Sequence, residues 1–181
     1  RKRACDRFGL DYEEMNERHH LTFDTYEAGK LSLDEYLTRV VFYEPRSYTR
    51  DDFIRFMFDQ SQPYPDMIAL MKQIKAQHRV KLAVLSNEGR ELMTYRIQKF
   101  GLSEFVDFFI ASSFVHFRKP DHDIFRIALD MAQTPIENIL YLEDRQMFVE
   151  VASSLGLRSL RHTDYAFTRQ ALADVGLAVS A

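Results

Sequence analysis

The protein has 181 residues, 46% of them hydrophobic, and a formal net charge of −3 at pH 7. This length suits one domain, or one domain with a small insertion, and the hydrophobic fraction is sufficient for a buried core. The weak acidity and the scattered basic residues exclude a basic nucleic-acid-binding surface. The single cysteine excludes an internal disulfide. The sequence has no apolar run of about 18 residues, so no membrane span is predicted. We therefore expect a soluble, cytoplasmic protein that binds neither nucleic acid nor a membrane.

The first third of the chain, residues 1–62, is predicted to be helical. Ser32 and Glu35 have the spacing of a capping box, in which each side chain accepts a hydrogen bond from the other's backbone N–H. Thr49 and Asp52 mark a second helix start of the same kind. The region therefore contains several short helices and no strong strand signal.

From residue 63 onward, apolar runs that predict strands alternate with amphipathic segments that predict helices. Strands are expected at 80–85, 105–111, 139–142 and 157–160, and helices at 66–77, 89–100, 121–132, 146–155 and 164–175. Strands separated by helices of about ten residues indicate βαβ units and a parallel sheet with helices on both faces. Ligands of such sheets bind beyond the carboxyl ends of the strands, so the residues at those ends are the candidates for function.

Polar side chains stand at three of these strand ends. Ser86 and Asn87 follow the first predicted strand, Lys119 lies in the loop after the second, and Glu143 and Asp144 follow the third. A hydroxyl can bind phosphate oxygens, a lysine can neutralise their charge, and carboxylates can hold Mg²⁺. The sequence therefore predicts a site for phosphoryl chemistry at one edge of the sheet.

Each of these features also has an ordinary structural explanation. A Ser-Asn pair after a strand is usually a turn, and a Lys-Pro pair is common in loops. The acidic pair is more informative because apolar strands seldom end in two carboxylates. The combination at three predicted strand ends is what favours a site, although Ser86 has no base beside it that would make it a nucleophile.

Three segments resemble the motifs of the haloacid dehalogenase-like hydrolases. They are Leu85-Ser86-Asn87-Glu88, Arg118-Lys119-Pro120-Asp121 and Leu142-Glu143-Asp144-Arg145, which resemble the second, third and fourth motifs in order and spacing. The segment from Tyr26 to Leu37 resembles the helical cap of the subfamily whose cap lies between the first two motifs. The resemblance implies a Rossmann-like core at 63–181 and a helical cap domain at 1–62.

The resemblance also implies roles for the residues at the strand ends. Ser86 would bind the phosphate with Asn87 beside it, and Lys119 would stabilise both the nucleophile and the phosphoryl oxygens. Asp144, with Glu143, would hold Mg²⁺. Ser86 and Lys119 are therefore the predicted catalytic residues.

The first motif of the family, an Asp-x-Asp that ends the first strand and supplies the nucleophile, has no counterpart at a predicted strand end. The Asp121-His122-Asp123 segment opens a helix instead, so Asp121 is predicted to be a helix cap. We therefore expect a first, central strand upstream of residue 1. Without it the neighbouring strands would have exposed edges.

Three positions depart from the family pattern, and the first is Glu143, which stands where many relatives have Asp. Phe148 stands where many relatives have Asp or Asn, and His116 stands where many have Gly. Three functions follow as hypotheses. The first is a Mg²⁺-dependent phosphatase of a small phosphate ester that acts through an aspartyl-phosphate. The second is a metal-free dehalogenase, and the third is an inactive protein of this fold that binds a metabolite or partner.

Overall fold

The computed structural model describes residues 1–180, and within them no helix is both long and apolar enough to cross a membrane. The chain divides into two compact units. The first consists of Arg1–Gln62, Ser86–Gly101 and Ala111–Arg118, and the second of Pro63–Leu85, Leu102–Ile110 and the chain from Lys119 onward. The predicted α/β class is confirmed, whereas the assignment of residues 1–62 as a cap domain stays a prediction.

Helices and strands follow one another along the chain. The helices are α1 (Lys2–Phe8), α2 (Tyr12–Glu27), α3 (Leu33–Val40), α4 (Arg50–Asp59), α5 (Pro65–Gln77), α6 (Arg90–Lys99), α7 (Ser112–Val115), α8 (His122–Ala132), α9 (Gln146–Ser154) and α10 (Tyr165–Leu172). The strands are β1 (Ala83–Ser86), β2 (Phe108–Ala111), β3 (Leu140–Glu143) and β4 (Arg158–Arg161). Short 3₁₀ turns at Leu102–Glu104 and Ile136–Asn138 and a π turn at Ala173–Leu177 complete the regular structure.

The helices of the first unit start where the sequence predicts. Both capping boxes form: Ser32 with Glu35 opens α3, and Thr49 with Asp52 opens α4. The apolar face of α3 and the residues after it lie in the core of this unit, where Leu37, Val40, Val41 and Phe53 are among the buried side chains. Capping and burial of one apolar face together explain why these short helices are stable.

One turn of the first unit depends on a glycine. Gly29, just after α2, has φ of +68°, and a Cβ on it would lie 2.3 Å from the backbone oxygen of Ser113 in α7. Both the backbone conformation and the available space therefore require a residue without a side chain.

The strands form two hydrogen-bonded pairs, β1 with β2 and β3 with β4. Strands β3 and β4 are parallel, with a register that runs from Leu140 opposite Arg158 to Glu143 opposite Arg161. Within residues 1–180 the two pairs are not hydrogen-bonded to each other. Helices α5 and α10 of the second unit share a small core formed by Leu70, Ile74 and Leu172.

Several elements differ from the sequence prediction, and the strand expected at 105–111 forms only at Phe108–Ala111. The apolar run at 80–85 forms a strand only from Ala83, because the backbone N–H of Leu82 donates to the side chain of Asp107 at 2.7 Å. Ser86 is therefore the last residue of β1 and not the first residue after it. The short helix α7 was not predicted, since four residues give no helical periodicity.

Candidate active site

The candidate site of the second unit is centred on Lys119, whose side chain is 7% exposed. Its Nζ donates to Oε2 of Glu143 at 2.5 Å, to the backbone oxygen of Leu85 at 3.1 Å and to the hydroxyl oxygen of Tyr141 at 3.3 Å. The ring of Phe148 lies 5.0 Å from the same nitrogen. The lysine thus reaches the ends of β1 and β3, as expected for a residue that serves a site at this edge.

Glu143, the last residue of β3, accepts four hydrogen bonds. Lys119 and Tyr141 donate to Oε2, and the backbone N–H groups of Asp144 and Arg145 donate to Oε1 at 3.1 Å each. Burial acts to raise the pKa of this carboxyl, but the bonds with Asp144, Lys119 and Tyr141 outweigh it and hold the pKa well below its usual range. Glu143 is therefore a buried anion with both oxygens engaged.

Tyr141 is a member of this cluster that the sequence analysis did not identify. Its hydroxyl donates to Oε2 of Glu143 at 2.6 Å, and its ring meets the buried ring of Phe125 edge-on, with centroids 5.6 Å apart. Burial, then the bond to Glu143, raises the pKa of Tyr141 far above its usual value, so the hydroxyl keeps its proton. The sequence signal that could have identified Tyr141 is the strand period, since side chains two residues apart on β3 share one face.

Asp144 is exposed, unlike Glu143 beside it. A hydrogen bond with Glu143, then burial, raises the pKa of Asp144. Mg²⁺ prefers oxygen ligands and is usually held by one or two carboxylates together with water and substrate phosphate. Asp144 fits one such position, whereas the oxygens of Glu143 are occupied and Phe148 has no ligand atom.

Residues 1–180 contain no cluster of three or more His, Cys, Asp or Glu side chains that could hold a metal ion. The metal-binding roles of Asp144 and Glu143 therefore stay predictions. The geometry supports the role more strongly for Asp144.

Ser86 and Asn87 belong to the first unit, so the structure does not place the five predicted site residues in one unit. The backbone N–H of Glu88, which follows them, donates to the buried hydroxyl of Ser112 at 3.0 Å. The carboxylate of Glu88 pairs with Arg96. These contacts hold the turn after β1 in place, and the phosphate-binding role of Ser86 stays a prediction.

Ion pairs fix the loop that leads to Lys119. Arg118 donates to Oδ1 of Asp24 and to Oε2 of Glu27, at 2.6 Å each, within the first unit. His116 is exposed, and its Nδ1 lies 2.9 Å from the backbone oxygen of Ala28. Neither set of partners could be identified from the sequence, because each joins residues about 90 positions apart.

Asp121 is the N-cap of α8, as predicted, and its side chain accepts a hydrogen bond from the backbone N–H of Asp123. The one Asp-x-Asp segment of the chain is thus explained by helix capping.

Comparisons with known proteins agree on one family. The model of the haloacid dehalogenase-like hydrolases matches residues 2–156. Over 83 residues the chain is 29% identical to the pyrimidine 5'-nucleotidase YjjG of Escherichia coli (strain K12), a match that covers 46% of this chain. That match spans 36% of the nucleotidase, so the chain corresponds to about a third of the length of this relative.

Solved structures show the same fold. A predicted HAD-like hydrolase of Porphyromonas gingivalis has a TM-score of 0.68 at 20% identity and covers 92% of this chain and 90% of its own. A HAD-family enzyme of Bacteroides thetaiotaomicron in complex with magnesium and inorganic phosphate has a TM-score of 0.68 at 15% identity, covering 88% and 91%. The L-2-haloacid dehalogenase of Xanthobacter autotrophicus with covalently bound chloropropionic acid has a TM-score of 0.60 at 15% identity, covering 93% and 71%.

Proposed function

Because the chain belongs to the haloacid dehalogenase-like hydrolases, we propose that it takes part in the hydrolysis of a small phosphate ester through an aspartyl-phosphate intermediate. In this proposal the nucleophilic aspartate lies upstream of residue 1, and the chain supplies the groups that bind and stabilise the phosphoryl group.

The observation that carries the proposal is the position of Lys119. A lysine with 7% side-chain exposure is held by the backbone of β1 and by the last side chain of β3, at the carboxyl ends of both strands. A preorganised cation in a site shielded from water stabilises developing negative charge far better than one in solvent. Phosphoryl transfer depends strongly on stabilisation of the charge on the phosphoryl oxygens.

The reaction has two steps. An oxygen of the upstream aspartate attacks phosphorus, the bond to the ester oxygen breaks, and the leaving oxygen takes a proton from the second aspartate of the same motif. Water then attacks phosphorus, gives a proton back to that aspartate, and releases inorganic phosphate with the first carboxylate restored. Lys119 neutralises the phosphoryl oxygens in both steps, and Ser86 donates a hydrogen bond to one of them.

Asp144 is the residue of this chain that would hold Mg²⁺, since its carboxylate is exposed beside the Lys119 cluster. When bound, the ion would neutralise phosphate charge. The similarity to a magnesium- and phosphate-bound enzyme of the same fold supports this choice of cation.

The test is hydrolysis by the full-length protein of p-nitrophenyl phosphate and of pyrimidine 5'-monophosphates, the latter chosen because a nucleotidase is among the similar proteins. We expect release of inorganic phosphate that depends on Mg²⁺ and stops when EDTA is added. Absence of phosphate release from every ester tried would contradict the proposal and favour an inactive binding protein.

Metal-free dehalogenation is the second candidate, and the occupied oxygens of Glu143 favour it. With Glu143 bound to Lys119 and Phe148 beside them, only one predicted metal ligand is left exposed. In that reaction the aspartate attacks carbon, halide leaves with the bonding electrons, and water hydrolyses the resulting ester. Chloride release from 2-chloropropionate in the presence of EDTA, without phosphatase activity, would establish this function instead.

A further inference from the structure

We propose that Tyr141 is a positioning residue that keeps Glu143 hydrogen-bonded while Lys119 turns toward the phosphoryl group. This inference rests on the proposed function, because it concerns the same site. It assigns a task to the hydroxyl of Tyr141, which follows from the arrangement of three side chains.

One carboxylate oxygen of Glu143 accepts from two side chains. Oε2 of Glu143 accepts from Nζ of Lys119 at 2.5 Å and from the hydroxyl of Tyr141 at 2.6 Å. The same hydroxyl accepts from Lys119 at 3.3 Å. The three side chains thus form a triangle of hydrogen bonds, in which the hydroxyl of Tyr141 donates to Glu143 and accepts from Lys119.

The charge of Glu143 is shielded from water. The side chains of Lys119 and Glu143 are each 7% exposed, so water cannot readily replace a lost partner. A buried carboxylate without donors is costly. If Lys119 turned an N–H toward a phosphate and left Glu143, the carboxylate would still have the hydroxyl of Tyr141 and the backbone N–H groups of Asp144 and Arg145.

The hydroxyl of Tyr141 has a fixed position. Tyr141 and Glu143 lie on the same face of β3, and the tyrosine ring packs edge-on against Phe125, which is fully buried. A phenylalanine at this position would keep the packing and lose only the hydrogen bonds. Without the hydroxyl, Oε2 would lose its bond from Tyr141, and Glu143 would hold the lysine more tightly away from the substrate.

The decisive variant is Tyr141→Phe in the full-length protein, with p-nitrophenyl phosphate as substrate. We expect kcat to fall about tenfold, the scale of a charge-assisted hydrogen bond, with KM changed less than about twofold. Tyr165→Phe is the matched control, since Tyr165 lies at the start of α10 and outside the cluster, and its kcat should equal that of the wild type. A Tyr141→Phe variant with lower thermal stability but wild-type kcat would show a merely structural role and overturn the inference.

A second measurement does not depend on turnover. Urea unfolding of Tyr141→Phe, Glu143→Gln and the double variant forms a double-mutant cycle. We expect the double variant to be less destabilised than the sum of the two single variants, and additive effects would overturn the role of Tyr141. A wild-type protein that hydrolyses no phosphate ester would overturn the proposed function alone, because the cycle still decides whether the two side chains act as a unit.

Discussion

The two units each contain a glutamate paired with a cation, half-buried in the first and buried in the second, and the pKa of the carboxyl group differs between the two pairs. In the first unit Glu88 pairs with Arg96, and the side chains are 15% and 37% exposed. In the second unit Glu143 pairs with Lys119, and both are 7% exposed. The pKa of Glu88 is raised, whereas that of Glu143 is lowered.

The difference lies in how many donors surround each carboxylate. For Glu88, burial raises the pKa and Arg96 only partly opposes it, while Glu27 nearby raises it further. For Glu143, the hydrogen bonds with Asp144, Lys119 and Tyr141 outweigh the effect of burial. An ion pair alone therefore does not stabilise the charged form of a carboxylate shielded from water, whereas several hydrogen-bond donors do.

Removing Lys119 should have the largest effect. In Lys119→Ala we expect turnover to fall about a thousandfold, because the charge that stabilises the phosphoryl group is lost. We also expect a loss of stability of about 2–3 kcal/mol, because the buried carboxylate of Glu143 loses its charged partner but keeps its bonds from Tyr141, Asp144 and Arg145. Steady-state kinetics and urea unfolding measure the two effects.

Lys72→Ala is the control for this prediction, since the pair of Lys72 with Glu104 is exposed and should contribute less than about 1 kcal/mol. Equal kinetics in Lys119→Ala and the wild type would show that the buried pair has no part in catalysis.

If Glu143 pairs with Lys119 and does not bind the metal ion, Asp144 and Glu143 should respond differently to substitution. We expect Asp144→Asn to weaken Mg²⁺ activation by about tenfold or more, and Glu143→Gln to leave the Mg²⁺ concentration for half-maximal activity unchanged. A Mg²⁺ titration of both variants makes the comparison. Equal weakening would mean that Glu143 is a metal ligand, as the sequence predicts.

Breaking the pair of the first unit should cost less than breaking that of the second. In Arg96→Ala we expect a destabilisation of about 1–2 kcal/mol, because the side chain of Glu88 is more exposed than that of Glu143, 15% against 7%, so that water can better replace the lost partner. Urea unfolding at pH 7 tests this value. A loss as large as that in Lys119→Ala would show that the two pairs are equivalent after all.

The pH dependence of stability should have opposite signs for the two glutamates. The lowered pKa of Glu143 means that its contribution is complete above its ordinary value of about 4.3 and is lost as the pH falls toward the folded value. The destabilisation caused by Glu143→Gln should therefore shrink below about pH 4. The raised pKa of Glu88 means that its contribution is complete below about 4.3 and is lost as the pH rises.

Wild-type protein should thus lose stability relative to Glu88→Gln between about pH 4 and pH 7. Urea unfolding across this range measures both trends. Parallel trends in the two variants would refute the contrast between the pairs.

Local signals allowed much of the fold to be predicted. The capping boxes of Ser32 and Thr49, the N-cap of Asp121 and the alternation of strands with helices all depend on residues close together in the chain. The same signals placed Lys119 and the acidic pair at strand ends, where the structure shows Lys119 bonded to Glu143.

What could not be predicted depends on contacts between distant segments. The bond from Lys119 to Tyr141 joins residues 22 positions apart, and the bond from Glu88 to Ser112 joins residues 24 apart. Neither has a periodic pattern. The occupation of both Glu143 oxygens was also unpredictable, because an acidic pair after a strand looks the same in sequence whether its carboxylates face a metal or a lysine.

The turn at Gly29 has a consequence for protein engineering. Since a Cβ there would collide with the backbone of Ser113, the end of α2 and the start of α7 fit each other as a matched pair. A chimera that takes its N-terminal helices from one homologue and its α7 loop from another must therefore keep both halves of this contact. Helices from a homologue without this glycine would place a side chain against the backbone of Ser113.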